Sequence, residues 1–384
     1  MQILVLGAGW MGRAAVFDLL SNPKLEKVTL VDSDAKQLKD VEKFLNAPNE
    51  LRIKYKKADI DDAEAVAKLM AGHDTVLSAV PYRYNFKLAK LAVQNGCNFC
   101  DLGGNNTIVD EELSLDDKAA KKGVTIVPDC GLAPGMVAVL VADGMNLFDS
   151  VENVHIRVGG LPVEPKPPMN YKLVFSVGGL INEYVEPCIK IKDGKVITEE
   201  PLIDVEELEF PEPFGKLEAF NTSGGTSTLP KTYLGKVKNL DYKTIRYPGH
   251  CAQFKTLMDL GLMDDKPLKV GGSRIIPREL LSQLLIEKLT MGGKDSVLVR
   301  VEMTGKKDGS SRTVRYQIID YGDELNKLTA MMRLTSFPIS VVAQMLSDGT
   351  ITKKGACPQE VCVPPAKFIS ELEKKGIRIE KTVS

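Results

Sequence analysis

The stretch Ile3-Leu4-Val5-Leu6-Gly7-Ala8-Gly9-Trp10-Met11-Gly12 decides the fold of the first third of the chain. Four apolar residues lead into a complete G-x-G-x-x-G turn, and Met11–Leu20 continues with helical periodicity. Gly7 permits a tight turn, Gly9 lets the backbone approach a pyrophosphate, and Gly12 lets the helix pack against the strand. The stretch therefore predicts a strand, a phosphate-binding turn and a helix whose first N–H groups face the phosphates.

Asp32 stands at the end of the next apolar run, twenty residues after Gly12. A carboxylate at this place accepts hydrogen bonds from the adenosine ribose hydroxyls and repels a 2′-phosphate, which favours NAD over NADP. Glycine-rich turns also occur in S-adenosylmethionine and flavin sites, and some of them bind no ligand. Since the strand, helix and carboxylate are all in place, we predict NAD, with Trp10 and Met11 among its contacts.

The alternation of a short apolar run with a helical segment recurs as far as residue 130. The predicted strands after Ile3–Leu6 are Val28–Val31, Leu51–Tyr55, Thr75–Ala79, Phe99–Leu102 and Val124–Val127. The predicted helices between them are Lys36–Leu45, Asp62–Met70, Asn85–Gln94 and Glu111–Lys122. Apolar strands that alternate with helices are typical of a parallel sheet covered on both faces. The pattern predicts an α/β fold with a Rossmann-type, doubly wound, six-stranded parallel sheet.

Three loops are expected at the carboxyl edge of this sheet, where dinucleotides bind. Ala79-Val80-Pro81 follows the fourth strand, and Asp101-Leu102-Gly103-Gly104 follows the fifth. Asp129-Cys130-Gly131-Leu132-Ala133-Pro134-Gly135-Met136 follows the sixth and leads into a helix. Ala79, Val80, Pro81, Asp101 and Gly103 are predicted cofactor contacts. Asp101 and Asp129 could equally cap a helix or a turn.

The pattern changes after Asp149 to separated strands and hairpins. Asp193-Gly194 is typical of a hairpin turn. A meander is predicted over Val297–Met303, Arg312–Ile319 and Lys327–Thr335. These features indicate an α+β domain with a largely antiparallel sheet. Two helical segments follow, Ser340–Leu346 and Lys367–Lys375, and are too short to form a domain of their own. We therefore predict a nucleotide domain of residues 1–130 plus 337–384 and a substrate-binding, oligomerisation domain of residues 131–336.

The composition excludes several classes of function. The 384 residues include 50 Lys and Arg against 51 Asp and Glu, for a net charge of −1, so a nucleic-acid binder is not expected. The sequence has neither an apolar run long enough to cross a bilayer nor a signal-peptide pattern at its start, which predicts a cytoplasmic protein without membrane contact. Among the seven cysteines, Cys97-Asn98-Phe99-Cys100 is a lone CxxC, and a zinc site would normally need a second pair or a His pair at ligand spacing. The cysteines are therefore expected to be reduced, and no metal is expected.

Polar residues in the second domain indicate a small-molecule site. Thr222-Ser223-Gly224-Gly225-Thr226-Ser227-Thr228 combines hydroxyls with a glycine pair that could hold a carboxylate, although an ordinary loop has the same composition. Arg246 and His250 flank a strand end, where an Arg fork suits a carboxylate and a His suits proton transfer. A solitary His is often structural. Tyr171 is a candidate substrate contact, with packing as the other interpretation.

The chain resembles the saccharopine dehydrogenase/reductase-like family, and within it the lysine 6-dehydrogenase branch. The resemblance is carried by the glycine turn, by Asp101-Leu102-Gly103-Gly104 and by the segment Pro128–Met136. The runs Glu218–Thr228, Tyr242–Tyr247 and Thr350–Gly355 complete it, so that it extends through nearly the whole chain. The runs Ala219–Thr228 and Lys243–Tyr247 are the most specific parts.

The resemblance implies NAD-dependent oxidative deamination of the L-lysine side chain at C6, giving 2-aminoadipate 6-semialdehyde and ammonia. It also implies a homodimer or homotetramer assembled through the second domain. One alternative is a saccharopine reductase-like, NAD(P)H-dependent enzyme that forms a C–N bond between an aldehyde and an amine. An alternative of another class is a non-catalytic dinucleotide-binding sensor.

A mechanism follows for the deamination. A lysine ammonium has a pKa near about 10.4 in water and must lose its proton before hydride can leave the neighbouring carbon. His250 or Asp129 is the expected base, and the rate should rise toward alkaline pH. Arg246 with Thr222, Ser223 and Thr226 would hold the α-carboxylate. Asp129 or Glu218 would receive the α-ammonium, so that both ends of the substrate are fixed.

Overall fold

The computed structural model describes residues 1–290 and 292–384. These residues form two compact units. The first comprises Met1–Asn146 and Met332–Ile377, and the second comprises Leu147–Met331 and Arg378–Ser384. The first boundary, predicted after residue 130, lies after Asn146 in the structure, and the second, predicted before residue 337, lies before Met332. The C-terminal residues Arg378–Ser384 belong to the second unit and not to the first.

Strands and helices alternate through the first third of the chain and are mixed thereafter. The strands in chain order are β1 (Gln2–Leu6), β2 (Lys27–Asp32), β3 (Ile53–Lys57), β4 (Thr75–Ser78), β5 (Asn98–Asp101), β6 (Thr125–Val127), β7 (Ser150–Pro162), β8 (Cys188–Lys192), β9 (Lys195–Glu199), β10 (Glu206–Phe210), β11 (Gly215–Asn221), β12 (Asn239–Arg246), β13 (Leu268–Val270), β14 (Ser273–Ile275), β15 (Asp295–Lys307), β16 (Ser310–Asp320), β17 (Gly355–Ala356) and β18 (Glu380–Val383). The helices are α1 (Trp10–Leu20), α2 (Ala35–Leu45), α3 (Ala63–Met70), α4 (Asn85–Gln94), α5 (Asn106–Leu113), α6 (Asp116–Lys122), α7 (Met136–Met145), α8 (Val177–Val185), α9 (Leu229–Tyr233), α10 (His250–Asp259), α11 (Pro277–Leu289), α12 (Ala330–Ser347), α13 (Gln359–Cys362) and α14 (Pro365–Lys374).

The first unit is a doubly wound α/β fold. Its sheet has the strand order β17-β6-β5-β4-β1-β2-β3, and all neighbouring strands in this order run parallel. The order reverses between β1 and β4, and this switch point opens the crevice in which such sheets bind ligands. The residues of β4 and β6 are buried throughout, as the continuous apolar runs predicted. The Rossmann-type prediction is confirmed, with β17 as an additional strand beyond the six predicted.

The second unit is an α+β fold on a mixed sheet. The main path of the sheet is β10-β11-β12-β7-β15-β16-β18, and β8 joins it at β12 and carries β9. Strands β7 and β12 run parallel, whereas the other pairs of this sheet are antiparallel. The hairpin predicted at Asp193-Gly194 joins β8 to β9. The largely antiparallel second domain is therefore confirmed.

Two predicted elements are wrong in detail. Lys327–Thr335 is not the third strand of a meander, because α12 begins at Ala330. The Asp295 carboxylate accepts the N–H groups of Ala330 at 2.9 Å and Met331 at 3.1 Å, which satisfies the first turn of that helix. The helix predicted over Glu111–Lys122 is instead divided between α5 and α6.

A local hydrogen bond accompanies the division between α5 and α6. The Ser114 hydroxyl, one residue past the end of α5, donates to the Glu111 carbonyl at 2.5 Å. Such a side-chain bond competes with the continuing helical ladder.

Across the described residues, no helix is both long and apolar enough to cross a membrane.

Candidate dinucleotide and substrate sites

The glycine turn of the first unit has the geometry that a pyrophosphate requires. Gly7 adopts φ +99°, and a Cβ on Gly12 would lie 1.8 Å from the Gly7 carbonyl oxygen, so neither position accepts a side chain. A Cβ on Gly9 would instead meet no atom of the described residues within 4 Å. Gly9 is the N-cap of α1, so the open space beside it adjoins the N-terminus of that helix. An anion fits this cradle.

Asp32 closes one side of the turn. Its Oδ2 accepts the Ala8 N–H at 2.7 Å, and its Oδ1 accepts the Asp34 N–H at 2.8 Å. The carboxylate therefore has a fixed position at the carboxyl end of β2, as the sequence predicted for a ribose-binding acid. Trp10 is exposed and Met11 is half-buried at the start of α1.

The loop after β4 packs directly on the turn. The Ala79 N–H donates to the Leu6 carbonyl at 2.8 Å, and a Cβ on Gly7 would lie 2.7 Å from the Ala79 oxygen and 3.1 Å from Val80 Cγ1. Pro81 follows and is exposed. The structure thus brings the predicted residues Ala79 and Val80 together with the glycine turn at the switch point.

The loops after β5 and β6 meet at Asp101. Asp101 Oδ1 accepts the Gly103 N–H at 2.6 Å and the Asp129 N–H at 3.5 Å. Gly103 has φ +70°, and a Cβ there would lie 1.5 Å from Asp129 Oδ1, so the two loops are in close contact. Asp129 has φ +59°, is 5% exposed, and its carbonyl oxygen accepts the Gln359 side-chain N–H.

A second cluster lies in the second unit, between β12 and helices α8 and α10. Arg246 Nε donates to the Tyr184 hydroxyl at 3.1 Å, and the same hydroxyl is 3.0 Å from His250 Nε2. The Arg246 guanidinium stacks over the Tyr171 ring at 4.8 Å, and the buried Tyr171 hydroxyl has no hydrogen-bond partner among residues 1–290 and 292–384. The structure therefore brings together the predicted residues Arg246, His250 and Tyr171.

Arg246 is the residue of this cluster whose chemistry suits a carboxylate ligand. It is 2% exposed, its Nη1 donates to the Ile245 carbonyl, and within the described residues no carboxylate forms an ion pair with it. A buried guanidinium that lacks an acidic partner can accept a carboxylate from a ligand. Half-buried Glu183 lies close enough to be affected by it: burial raises the pKa of Glu183 to about 7, and the Arg246 charge opposes that rise.

His250 lies in a tight aromatic environment. Its ring stacks on Phe254 at 4.5 Å and meets Tyr171 edge-on at 5.1 Å, and its Nδ1 is 3.5 Å from the Met169 carbonyl oxygen. Burial, and then the Arg246 charge, lowers the pKa of His250 well below its ordinary value. His250 is thus neutral at pH 7, and both of its ring nitrogens face protein atoms. Its role as a base stays a prediction.

The remaining predicted substrate residues are engaged with the protein itself. Thr222 Oγ1 is 2.7 Å from Thr244 Oγ1, Ser223 Oγ donates to the Asn182 carbonyl, and Thr226 Oγ1 donates to the Ile189 carbonyl. The two oxygens of Glu218 accept the N–H groups of Gly249 at 2.9 Å and Cys251 at 2.7 Å, at the N-terminus of α10. These contacts hold the walls of the cluster, and substrate binding by these four residues stays a prediction.

Sequence reasoning missed Glu183 and Tyr184, both on α8. They stand in an ordinary helical segment, and no motif distinguishes them. Only the fold brings them to Arg246, which lies about sixty residues later in the chain.

Comparisons with known proteins cover both units. A family model described as the saccharopine dehydrogenase NADP binding domain matches residues 3–127, and one described as the saccharopine dehydrogenase C-terminal domain matches residues 131–377. Together they span most of the chain. The first unit therefore carries a nicotinamide-dinucleotide-binding domain.

Curated relatives match at low identity over long stretches. "Saccharopine dehydrogenase [NADP(+), L-glutamate-forming]" of Schizosaccharomyces pombe is 22% identical over 464 aligned positions, covering 100% of this chain and 99% of the relative. The mitochondrial alpha-aminoadipic semialdehyde synthase of Mus musculus is 24% identical over 92% of this chain, which spans 45% of that relative's length. A solved structure of apo saccharopine dehydrogenase (L-Glu forming) from Saccharomyces cerevisiae has a TM-score of 0.81 at 18% identity, covering 100% of this chain and 99% of the other. This likeness shows the fold.

Proposed function

The chain belongs to the saccharopine dehydrogenase family, and from that premise we propose that it makes and breaks a C–N bond at C6 of a lysine-derived amino acid. In the saccharopine reductase type of reaction, the aldehyde of 2-aminoadipate 6-semialdehyde and the amine of L-glutamate condense, and the resulting imine is reduced. The observation that carries the proposal is the S. pombe relative, which aligns from end to end with this chain.

The cluster around Arg246 supports a substrate with several carboxylates. The guanidinium is fixed by Tyr184 and by stacking on Tyr171, so its remaining N–H groups are already oriented for a carboxylate. The buried Tyr171 hydroxyl, which none of the described residues uses as a hydrogen-bond partner, could add a polar contact to a substrate. With a pKa of about 7, Glu183 can be ionised near neutral pH and bind an ammonium group.

The nicotinamide dinucleotide supplies the hydride chemistry when it is bound. Gly9 and the N-terminus of α1 would hold its pyrophosphate, and Asp32 would hold its ribose. Of the two predicted bases, Asp129 is the better supported, since it lies at the carboxyl edge of the sheet beside Gly103. The role supported for His250 is to fix the Tyr184 hydroxyl, which in turn fixes Arg246.

The choice between NAD and NADP rests on two opposing observations. The family model and the S. pombe relative are both named for NADP, which favours NADP. Asp32 ends β2 and is held at the glycine turn by the Ala8 N–H; a carboxylate at this position of the fold repels a 2′-phosphate, which favours NAD. We propose NAD on the strength of this residue.

Asp32→Asn keeps an acceptor for Ala8 but removes the charge, so it should shift the NAD-to-NADP preference toward NADP by about tenfold. Asp34→Asn is the matched control, and an unchanged preference would contradict the assignment.

Lysine 6-dehydrogenation is the second candidate. The alignment with the S. pombe protein runs over 464 positions, whereas this chain has 384 residues, so the relative carries segments that this chain lacks. The observation that favours this candidate is Asp32, a carboxylate of the kind that favours NAD; in this reaction L-lysine is the substrate and ammonia leaves in place of glutamate.

One assay separates the two candidates. The purified protein is incubated with saccharopine or with L-lysine, each with NAD or NADP, and reduced cofactor is followed by absorbance. Reduction with saccharopine and release of glutamate support the first proposal, whereas reduction with lysine and release of ammonia support the second. Arg246→Lys should raise the KM for the amino-acid substrate more than that for the dinucleotide. A protein inactive with both substrates and both dinucleotides would contradict both proposals.

A further inference from the structure

A pair of buried carboxyl groups lies at the carboxyl edge of the first unit's sheet. Asp101 ends β5 and Glu112 stands on α5, and both are 0% exposed. The two carboxyl groups are close enough for each to influence the pKa of the other. Such a pair is costly if both members are ionised, because like charges repel strongly where water is excluded.

The hydrogen bonds around the pair leave three oxygens without a donor. In the described part of the chain, neither Asp101 Oδ2 nor either oxygen of Glu112 accepts an N–H or O–H group. An ionised carboxylate only accepts hydrogen bonds, so two facing carboxylates cannot bond to each other. One proton between them converts the contact into an O–H donor and an acceptor. The arrangement therefore requires one of the two groups to be a carboxylic acid.

The neighbouring donors decide which group carries the proton. Asp101 Oδ1 accepts the Gly103 N–H at 2.6 Å and the Asp129 N–H at 3.5 Å, and these donors stabilise a negative charge on Asp101. Glu112 has no such donors. Burial, and then the charge of Asp101, raises the pKa of Glu112 far above its usual range. Asp129 and Glu111 raise it further.

We propose that Glu112 is a positioning residue that is held protonated, with its O–H donating to Asp101 so that the Asp101 carboxylate can fix the Gly103 loop against Asp129. The inference rests on dinucleotide binding by the first unit and is independent of which amine the enzyme uses. The loop belongs to the edge where the dinucleotide is proposed to bind, so the proton on Glu112 helps to shape that edge. The consequence is specific: an uncharged donor at position 112 should serve as well as the acid.

The test compares Glu112→Gln with Glu112→Leu, and Glu111→Gln serves as the matched control because Glu111 is the exposed neighbour on the same helix. The dissociation constants of NADH and NADPH are measured by fluorescence titration, together with thermal melting. Glu112→Gln should keep the tighter of the two dissociation constants within about twofold of the unaltered protein, because its amide N–H replaces the O–H. Glu112→Leu should weaken it by about tenfold, because Asp101 loses its donor.

Infrared spectroscopy tests the proton directly and needs neither substrate nor turnover. At pH 9, where a Glu183 carboxyl with a pKa of about 7 is ionised, the unaltered protein should show a carboxylic-acid C=O band that shifts in D2O. The band should be absent from Glu112→Gln but present in Glu111→Gln. The reciprocal variant Asp101→Asn should weaken dinucleotide binding more than Glu112→Gln does. A band that persists in Glu112→Gln, or a Glu112→Gln variant as impaired as Glu112→Leu, would overturn the proposal. An inactive but dinucleotide-binding protein with the expected band would overturn only the proposed function.

Discussion

Gly9 and Gly12 serve different purposes in the same turn, although the motif lists them together. A methyl group on Gly12 would collide with the Gly7 carbonyl, whereas one on Gly9 would enter open space. Gly9 has φ −67°, a backbone conformation that alanine can also adopt. The two positions therefore separate folding from ligand binding.

Alanine at each position tests this separation. Gly12→Ala should lower the free energy of unfolding by about 2–4 kcal/mol, because backbone atoms must move to accept the methyl group. Gly9→Ala should leave the melting temperature unchanged but weaken dinucleotide binding at least tenfold, because its methyl group occupies the phosphate cradle. Denaturant unfolding and fluorescence titration measure the two effects. A stable Gly12→Ala protein, or tight binding by Gly9→Ala, would contradict this division.

His250 should make the protein sensitive to acid. Its pKa is lowered in the folded state by burial and by Arg246, so below about pH 6.5 the unfolded chain binds a proton that the folded protein does not. Stability therefore falls as the pH decreases below that value, by at most about 1.4 kcal/mol per pH unit from this group. His250→Gln removes the contribution and should show a shallower decline in chemical unfolding between pH 7 and 5. Equal declines in both proteins would show that His250 is protonated in the folded state.

At the scale of the element, the start of α12 depends on one distant carboxylate. Asp295 lies at the beginning of β15 and accepts two N–H groups from the first turn of α12. Sequence patterning could not find this partner, because it precedes the helix by about 35 residues and belongs to a strand. The apolar residues of 327–335 therefore predicted a strand, whereas the hydrogen bonds from the Ala330 and Met331 N–H groups to Asp295 favour a helix.

Asp295→Ala should lower the free energy of unfolding by about 1–2 kcal/mol, because two buried donors lose their acceptor. Asp295→Asn retains one acceptor oxygen and should lose less. Urea unfolding of the two variants provides the measurement. Equal stability of Asp295→Ala and the unaltered protein would mean that other groups satisfy these donors.

The helices and strands differ in how well they can be predicted from their sequence. Strands β4 and β6 were predictable because sheet neighbours and helices bury both of their faces, which selects continuous apolar residues. All four residues of β18 are exposed, so this edge strand leaves no alternating pattern and was not predicted. The glycine turn was predictable because its constraints are local to ten residues. The Arg246 cluster was only partly predictable from the sequence, because Glu183 and Tyr184 come from a separate segment of the chain.

At the scale of the whole molecule, the two units should respond differently to ligand. A dinucleotide that binds the first unit stabilises it by about 2.7 kcal/mol when its concentration is 100 times the dissociation constant. Calorimetry with NAD and without it should then move the transition of the first unit to higher temperature and leave that of the second in place. A single transition that moves as one would show that the units unfold together.

The return of the chain to the first unit has a consequence for its synthesis. Helix α7 is buried along most of its length and packs against α13 and α14, which lie more than two hundred residues later. On the ribosome, the apolar surface of α7 and the open edge of β6 stay uncovered while Leu147–Met331, the main part of the second unit, is translated. A nascent chain arrested before residue 350 should accordingly be a client for chaperones that shield apolar surface, whereas the released full-length protein should not.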